Sequence, residues 1–330
     1  MSTYEPPYSL DDALFLLIAS ISEKMTRVDF STAGASPLRL RKEVQLQSLH
    51  SSLAIEANSL TLDAVKDVVK GVPVLGPQKD IWEVKDALAA YDLIAKVDPF
   101  SLQDFLKVHQ LMTQHTVSDA GTFRHTGEGV FSGERCVFMA PPPERVNGLM
   151  QDLFAWIKAS QTKVHPLILS SVFHFELVFI HPFSDGNGRM ARYWQSALLG
   201  QSNPLFYSFP VENQIREHQA DYYQAIAESE KAGNSNVFLH FILTMFDLTL
   251  DRLLKGTSAH RKVTVRRAHW WTSLSHGRYY TAKELQVRLG LKSISYFRSH
   301  FLEPALKEGH LLPSDPLSPR SPTQRYRKKD

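Results

Sequence analysis

The sequence predicts a mainly α-helical protein that carries a short β-hairpin and a separate C-terminal module. Apolar residues recur at helical spacing along most of the 330 residues, and strand-like patterns occur only in two short regions. The balance of charge also changes sharply after residue 250. A composition of 43% hydrophobic and 22% charged residues is ordinary for a globular protein, and this length is enough for two or three domains.

The chain before residue 181 is predicted to be mostly helical. The stretch at 167–180 is almost wholly apolar and too long for an ordinary strand, so a buried helix explains it better. No internal repeat is evident. Five further segments have helix-compatible apolar spacing, at residues 9–25, 39–57, 62–69, 78–96 and 101–114.

The sequence has no feature that indicates secretion or a membrane span. The single cysteine, Cys136, permits no intrachain disulfide, and the N-terminus has no basic segment before its short apolar run. The other long apolar run, at 237–246, is interrupted by His240 and is far shorter than the roughly 18 residues that a spanning helix needs. We therefore expect a cytoplasmic protein that does not contact a membrane.

The C-terminal region differs from the rest of the chain in charge. Residues 251–330 contain 17 Lys and Arg against 6 Asp and Glu, a balance of +11, whereas residues 1–250 have a balance of −8. A linker is predicted at 254–258, and Thr281 with Glu284 form the capping-box pattern that begins a helix. The predicted elements that follow are a helix ending at Gly290, a second helix at 293–302, a strand at 310–312 and a basic strand at 325–327.

Residues 181–192 place a histidine, a carboxylate, two glycines and two arginines within one short segment. Pro182 pushes His181 out of the helical region and so forces a turn after the apolar helix. Beyond the turn, Asn187 is expected to cap a second helix that begins near Gly188. The N–H groups at such a terminus bind anions, and flanking glycines let a phosphate approach closely. The segment therefore predicts a phosphate-binding site.

The side chains of this segment have separate chemical tasks. Arg189 and Arg192 are three residues apart, so both guanidinium groups lie on one helix face and can bind successive phosphates. Asp185 supplies one carboxylate, which together with water and phosphate oxygens is the usual way to hold Mg²⁺ in nucleotide sites. His181 is placed to take a proton from an attacking hydroxyl near neutral pH.

The same segment resembles the pattern H-P-F-x-D-G-N-G-R-x-x-R of Fic-domain proteins and matches it at every specified position. Residues 121–124 and 130–146 resemble that family's β-hairpin, called the flap, and its proline-rich turn. A segment further upstream resembles the inhibitory helix found before the Fic core in one class of the family, whose pattern is S/T-x-x-x-E-G/N. Ser52 and Glu56 match that pattern, whereas Ala57 stands where the family has Gly or Asn.

The resemblance implies transfer of AMP from ATP to a hydroxyl side chain of a target protein, or of the protein itself. His181 would be the base, and Phe183 would contribute packing. Glu56 would pair with Arg192 and so occupy the arginine that should hold the γ-phosphate. A target would dock as an added strand on the flap, at about residues 128–140. The implied contacts are Asp185 for Mg²⁺ and Gly186, Asn187, Gly188, Arg189, Arg192, Asn213 and Tyr223 for ATP, with Ser52 assisting Glu56 in inhibition.

The resemblance also implies a domain organisation. A Fic-type helical bundle with its flap would follow an N-terminal helical region and precede a winged-helix module, as in many bacterial Fic proteins. The expected domains are residues 1–95, with the inhibitory helix at about 47–58, then the catalytic core at 96–255 and the winged helix at 256–330. If that module binds DNA through 281–330, the major groove would meet Lys292, Ser293, Ser295, Tyr296 and Arg298, and phosphates would meet Arg320, Arg325 and Arg327.

Two other interpretations of the residues are weak. Gly186, Gly188 and Ala191 form a partial dinucleotide-binding fingerprint, but that motif needs a preceding strand, and the sequence predicts a helix there. His174 and Glu176, together with the histidine of the motif, lack the spacing of a zinc site. His174 is better explained as a core residue.

Alternative functions remain open at this point. One is a DNA-binding regulator whose Fic site senses nucleotide or modifies the protein itself. Another is an enzyme of the same fold that removes AMP from a modified target, with Glu56 orienting water, or that uses a different nucleotide donor. The target and the oligomeric state, including a homodimer, are also left open.

Overall fold

The computed structural model describes residues 4–28, 37–132, 135–268, 270–275, 277–290, 293–316, 321 and 324–329. The chain divides into two compact units between Leu254 and Lys255. In the described part of the chain helices dominate, and the strands form one two-stranded and one three-stranded sheet, so the predicted mainly α-helical class is confirmed. The winged-helix character of the C-terminal unit stays a prediction. Within the described ranges, no helix is both long enough and apolar enough to span a bilayer.

The predicted N-terminal helices and the predicted buried helix are all present, with ends shifted by a few residues. One hairpin interrupts the helices of this part of the chain. The elements in order are α1 (Asp12–Arg27), α2 (Pro37–Ile55), α3 (Leu62–Val69), α4 (Gln78–Tyr91), α5 (Leu102–Thr113), β1 (Gly129–Ser132), β2 (Arg135–Met139), α6 (Pro143–Ser160), α7 (Pro166–Ile180), α8 (Asn187–Ser202), α9 (Val211–Glu217), α10 (Gln219–Ala232) and α11 (Asn236–Ala268).

The core of the first unit surrounds α7, whose side chains are almost all buried. Phe105 of α5 lies edge-on to Phe154 of α6, Phe173 of α7 and Trp194 of α8. Phe183, in the turn after α7, is fully buried and stacks on Phe105 with ring centroids 5.4 Å apart. The expected packing role of Phe183 is therefore confirmed, and its burial fixes the turn to the core.

The turn between α7 and α8 begins as predicted but closes differently. His181 ends α7 with a left-handed backbone, φ +50°, before Pro182. The prediction that Asn187 caps α8 is wrong, because Gly186 occupies the N-cap position with φ +85°. The Asn187 side chain instead accepts from the Phe183 N–H at 2.9 Å and donates to the Phe183 carbonyl at 2.8 Å. Its amide thus holds the loop closed from within the helix.

The hairpin expected from the sequence is formed by β1 and β2. They pair antiparallel, with Gly129 opposite Met139 and an irregularity in register between Val130 and Phe131. The proline-rich turn leads directly into α6, whose first residue is Pro143. Proline suits that position because its missing N–H would have no partner inside the helix.

The second unit folds around a three-stranded antiparallel sheet of order β3-β5-β4. Thr281 and Glu284 form the predicted capping box. The hydrophobic core of this unit includes Trp270, Phe297 and Tyr326. The elements are β3 (Tyr280–Thr281), α12 (Ala282–Arg288), α13 (Ile294–Phe297), a π-helical segment (Arg298–Leu302), α14 (Glu303–Lys307), β4 (Leu311–Pro313) and β5 (Arg325–Lys328).

The linker predicted at 254–258 lies at the boundary between the two units, but it is helical rather than a loop, because α11 continues through it to Ala268. A single interior glycine, here Gly256, costs a helix only about 1 kcal/mol relative to alanine. That cost is too small to end a helix without a further breaker.

The C-terminus of α2 closes through a left-handed residue. The Asn58 N–H donates to the Leu53 carbonyl at 3.2 Å, and the Ala57 N–H donates to the Ala54 carbonyl at 3.1 Å, which is the bonding of a Schellman motif. Ala57 has φ +65°. Glycine adopts this conformation without penalty, whereas alanine does not. The departure from the inhibitory-helix pattern therefore lies at the position where glycine is favoured.

Replacing Ala57 by glycine should stabilise the first unit. Relief of the left-handed alanine, about 1–2 kcal/mol, should exceed the entropy that glycine adds to the unfolded chain, leaving a gain of about 0.5–1 kcal/mol. Urea unfolding followed by circular dichroism would measure it. Ala54→Gly, at a helical position of α2, is the matched control and should destabilise the protein. Equal destabilisation by the two substitutions would contradict a left-handed residue 57.

Candidate active site

The N-terminus of α8 forms the bottom of the candidate site. Among the described residues no side chain caps this helix, so its first-turn N–H groups are available to an anion. Asp185 immediately precedes the cap, and its Oδ1 accepts from the Gly186 N–H at 2.6 Å. Residues 186–188, where the sequence predicts an anion site, therefore lie at a helix N-terminus that has no side-chain cap.

His181 lies at the entrance to this helix terminus in a defined tautomer. Its Nδ1 lies 3.3 Å from the Val178 carbonyl. A carbonyl oxygen can only accept, so Nδ1 carries the proton and Nε2 carries the lone pair. Burial lowers the pKa of His181, and the neighbouring Arg124 lowers it further. The imidazole is thus neutral near pH 7 and can accept a proton at Nε2.

Arg124 joins the beginning of the hairpin region to the turn that carries His181. Its Nε donates to the His181 carbonyl at 2.6 Å, and its backbone N–H donates to the Pro182 carbonyl at 2.9 Å. Its two terminal nitrogens donate to the carbonyls of Thr126 and Pro141 at 2.7 and 2.6 Å. The sequence placed Arg124 in the flap pattern without a role; the structure makes it the connection between hairpin and turn.

Arg192 is 1% exposed and is held by α2 and the residue that follows it. Its Nη2 lies 2.8 Å from Glu56 Oε1, and its Nε and Nη2 donate to the Ser52 hydroxyl and carbonyl, both at 3.0 Å. Burial is the largest effect and would lower the pKa of Arg192, but the Glu56 carboxylate together with Tyr222 and Tyr91 raises the pKa above its usual value. A Cβ at Gly188 would overlap Glu56 Oε1, so a larger residue at 188 would displace the Glu56 carboxylate from this contact.

Arg189 lies on the same helix and is 3% exposed. Its Nη2 lies 3.1 Å from Asp185 Oδ1, and its Nη1 lies 3.8 Å from Glu83 Oε1. Glu83 belongs to α4 and was not singled out in the sequence, because nothing local distinguishes it from other helix glutamates.

His109 of α5 was also missed, and it supports the turn from below. Its Nδ1 accepts from the Gly121 N–H at 2.9 Å, so Nε2 donates to the Asp185 carbonyl at 3.0 Å. Its ring stacks on Phe183 with centroids 3.5 Å apart. Burial lowers the pKa of His109 to about 4, which keeps the ring neutral. No motif of the sequence contains this histidine.

The two residues expected near the adenine contact α2 in this structure. Asn213 Oδ1 accepts from the Ser51 hydroxyl at 2.7 Å. The Tyr223 hydroxyl donates to the carbonyl of Ile55, the last residue of α2, at 3.3 Å. Their role towards a nucleotide stays a prediction.

His174 is a core residue, as expected. It is fully buried, with Nδ1 2.7 Å from Gln195 Oε1 and Nε2 3.0 Å from the Tyr222 hydroxyl. Both ring nitrogens therefore have partners inside the protein.

The residues expected to contact DNA are only partly described. Ser293, Ser295, Arg298 and Arg325 are exposed, and Arg327 is partly buried. DNA binding by this unit stays a prediction. Three further members of the set lie outside the described residues: Lys292, Arg320 and the side chain of Tyr296.

Comparison with known proteins identifies the class of the chain. Residues 99–199 match the model of the Fic/DOC family, and residues 272–328 match that of the Filamentation induced by cAMP protein Fic-like, C-terminal domain. The crystal structure of a Fic family protein from Desulfovibrio desulfuricans G20 is 38% identical, with a TM-score of 0.74 and coverage of 99% of this chain and 98% of that one. The chain belongs to the Fic family.

Curated relatives carry the name protein adenylyltransferase Fic. The protein from Nematostella vectensis is 27% identical over 74% of this chain and 57% of its own length, and that from Culex quinquefasciatus is 29% identical over 76% and 49%. The chain thus spans about half the length of these relatives. The structure of Fic-1 (aa134 - 508) from C. elegans shares the fold. It is 22% identical, with a TM-score of 0.60 and coverage of 75% of this chain and 72% of that one.

The buried neutral His109 should make stability fall with acidity. Its pKa is about 4 in the folded protein and about 6.5 when unfolded, so between these values the unfolded chain binds a proton that the folded protein does not. The contribution of neutral His109 to the free energy of unfolding is therefore fully present above the unfolded pKa of about 6.5 and is lost as the pH falls towards 4. From pH 7.5 to 5.0 the loss from this residue should be on the order of 2 kcal/mol.

Urea titrations of wild type and His109→Phe at both pH values measure this term. Phenylalanine preserves the stack on Phe183, and every other titrating group is common to the two proteins. His109→Phe should be less stable at pH 7.5 but should lose less on acidification. The same loss in both proteins would show that His109 is not held neutral.

Proposed function

We propose that this protein is a protein adenylyltransferase that moves AMP from ATP to a hydroxyl side chain of a target protein or of itself. The observation that carries the proposal is the arrangement around α8. A neutral His181 with its lone pair on Nε2 stands before a helix N-terminus, and Arg189 and Arg192 follow on that helix. The name of the curated relatives supports the same reaction.

In the proposed reaction the target hydroxyl oxygen attacks the α-phosphorus of ATP. A new phosphorus–oxygen bond forms to the target, and the bond between the α-phosphorus and the bridging oxygen to the β-phosphate breaks. Pyrophosphate leaves, and the hydroxyl proton passes to His181 Nε2. The neutral state of His181 supports this role, because an imidazolium could not accept that proton.

The phosphates of ATP would bind at the N-terminus of α8. The first-turn N–H groups of α8 beyond Gly186, together with Arg189 and Arg192, supply donors to successive phosphates. The Asp185 carboxylate is partly exposed, and a single carboxylate with phosphate oxygens and water is a donor set that suits Mg²⁺. When bound, the ion neutralises charge that develops on the departing pyrophosphate.

The target segment would pair with the hairpin at about residues 128–140. A hairpin has free backbone groups along its outer edges, and an extended peptide can add to such an edge as a further strand. Arg124 supports this role, because its bonds attach the start of the hairpin region to the carbonyls around His181. A hydroxyl carried on the added strand would then be presented to the base.

Glu56 would restrain the reaction. Its carboxylate occupies Arg192 at 2.8 Å, and a γ-phosphate needs the same guanidinium. A charge-assisted pair of this kind is among the stronger polar contacts. ATP must therefore displace Glu56 or bind without this arginine, so the wild type should transfer AMP slowly.

Incubation with labelled ATP and a cell lysate tests the proposal. If displacement of Glu56 costs ATP about 2–3 kcal/mol, Glu56→Gly should raise the initial rate of AMP incorporation by about 30-fold to 150-fold. Adding His181→Ala to Glu56→Gly should lower the rate by about 10²-fold to 10⁴-fold while ATP binding persists, because only the proton acceptor is lost.

The added mass of an AMP group on proteins of the lysate, or on this protein, identifies the reaction. Absence of that group with Glu56→Gly, in a protein that binds ATP, would refute AMP transfer. Equal and clearly measurable rates for wild type and Glu56→Gly would instead refute restraint by Glu56.

A further inference from the structure

Arg189 has an unusual environment for a buried guanidinium. Among the described residues its nearest charged partner is Asp185, whose Oδ1 lies 3.1 Å from Nη2. Its Nε and Nη1 are buried and make no hydrogen bond to any described residue. Buried donors without partners cost free energy, and such donors at a functional site point to a partner that binds there. Two nitrogens of Arg189 thus have hydrogen-bonding capacity that no described residue uses.

A second carboxylate faces Arg189 as a long ion pair without a hydrogen bond. Glu83 Oε1 lies 3.8 Å from Arg189 Nη1, and the Glu83 side chain is almost fully buried. Its Oε2 accepts from Asn58 Nδ2 at 2.8 Å. Asn58 is itself buried and also donates to the Asp80 carbonyl at 3.1 Å. Glu83 is therefore oriented from the side of α2 rather than by the arginine.

Asn58 follows Glu56 by two residues, just beyond the left-handed Ala57. The same short segment thus reaches both arginines of α8. Glu56 contacts Arg192 directly, and Asn58 orients the carboxylate that faces Arg189. Each phosphate-binding arginine has one carboxylate that is placed by this segment.

We propose that Glu83 is a second restraining carboxylate, which opposes phosphate binding at Arg189 as Glu56 opposes it at Arg192. Glu83 acts through Arg189 and is thus a positioning residue. This inference rests on the proposed function. The physical basis is an excess of negative charge around Arg189. Asp185 and Glu83 carry two negative charges, whereas Arg189 carries one positive charge. The exposed Lys79 offsets this excess only at a distance, with its Nζ 3.8 Å from Glu83 Oε1 and 3.9 Å from Asp185 Oδ2. A phosphate oxygen entering beside Arg189 is repelled by Glu83.

The sign of this effect separates it from a structural role. A residue that merely supports the fold weakens ATP binding when it is replaced. Removal of a repelling charge strengthens ATP binding instead. Glu83→Gln keeps the size of the side chain and an acceptor for Asn58, so it removes the charge with little change in shape.

Calorimetric titration of ATP with Mg²⁺ into the full chain tests the proposal in four proteins: wild type, Glu83→Gln, Glu56→Gly and the double variant. Glu83→Gln should lower the Kd for ATP by about fivefold to tenfold, both with and without Glu56. Glu176→Gln, which removes an equally buried carboxylate bonded to Tyr4, is the matched control and should leave the Kd unchanged. Should Glu83→Gln fail to fold, Glu83→Asp withdraws the carboxylate and should lower the Kd about twofold.

Asn58→Ala tests the connection to α2. It should lower the Kd for ATP in the wild type and in the Glu56→Gly background, because Glu83 is no longer held facing Arg189. It should have no effect in the Glu83→Gln background, where no carboxylate is left to position. An effect of equal size with and without the Glu83 carboxylate would overturn this connection.

The outcomes distinguish the two proposals. A folded Glu83→Gln protein with an unchanged or higher Kd, while Glu56→Gly transfers AMP, would overturn the role of Glu83 alone. Failure of all four proteins to bind ATP would overturn the proposed function and this inference together.

Discussion

The burial of the Arg192 guanidinium is the constraint on which the rest of the site depends. A charge that is 1% exposed requires a counter-charge, because removing one partner of a buried pair typically costs about 3–5 kcal/mol. Glu56 supplies the counter-charge, and Ser52 supplies acceptors for Nε and Nη2, while Nη1 makes no hydrogen bond to a described residue. A residue of α8 thereby fixes the position of α2. In the proposed function a phosphate would take the same donors, so α2 and the nucleotide would be alternative partners of one buried group.

The turn that precedes Arg192 is held rigidly from several directions. Phe183 is packed in the aromatic core, Asn187 bonds both backbone groups of Phe183, and His109 bonds the carbonyl of Asp185. Arg124 adds the hairpin to the same assembly. Groups that are positioned by packed neighbours keep their geometry when a ligand binds, which is what a site for proton transfer and phosphate binding requires.

The sequence predicted those features whose physics is local. Helical periodicity located the helices, and the chemistry of residues 181–192 indicated the segment that forms the helix terminus of the candidate site. It could not predict His109 or Glu83, because their partners are distant in sequence; His109 and Asp185 are 76 residues apart. The role of Asn187 was mistaken because an asparagine side chain can cap its own helix or bond the preceding loop with equal ease. The segment at 254–258 is helical rather than a loop, because one glycine is only a weak helix breaker.

The central claim, that Glu56 and Arg192 are coupled in the resting protein, is tested most directly by a double-mutant cycle on stability. Urea unfolding would be measured for wild type, Glu56→Gln, Arg192→Gln and the double variant under identical conditions. The ion pair and its burial predict a coupling free energy of at least about 1.5 kcal/mol between the two residues. A coupling within about 0.3 kcal/mol of zero, with all four proteins folded, would contradict the account.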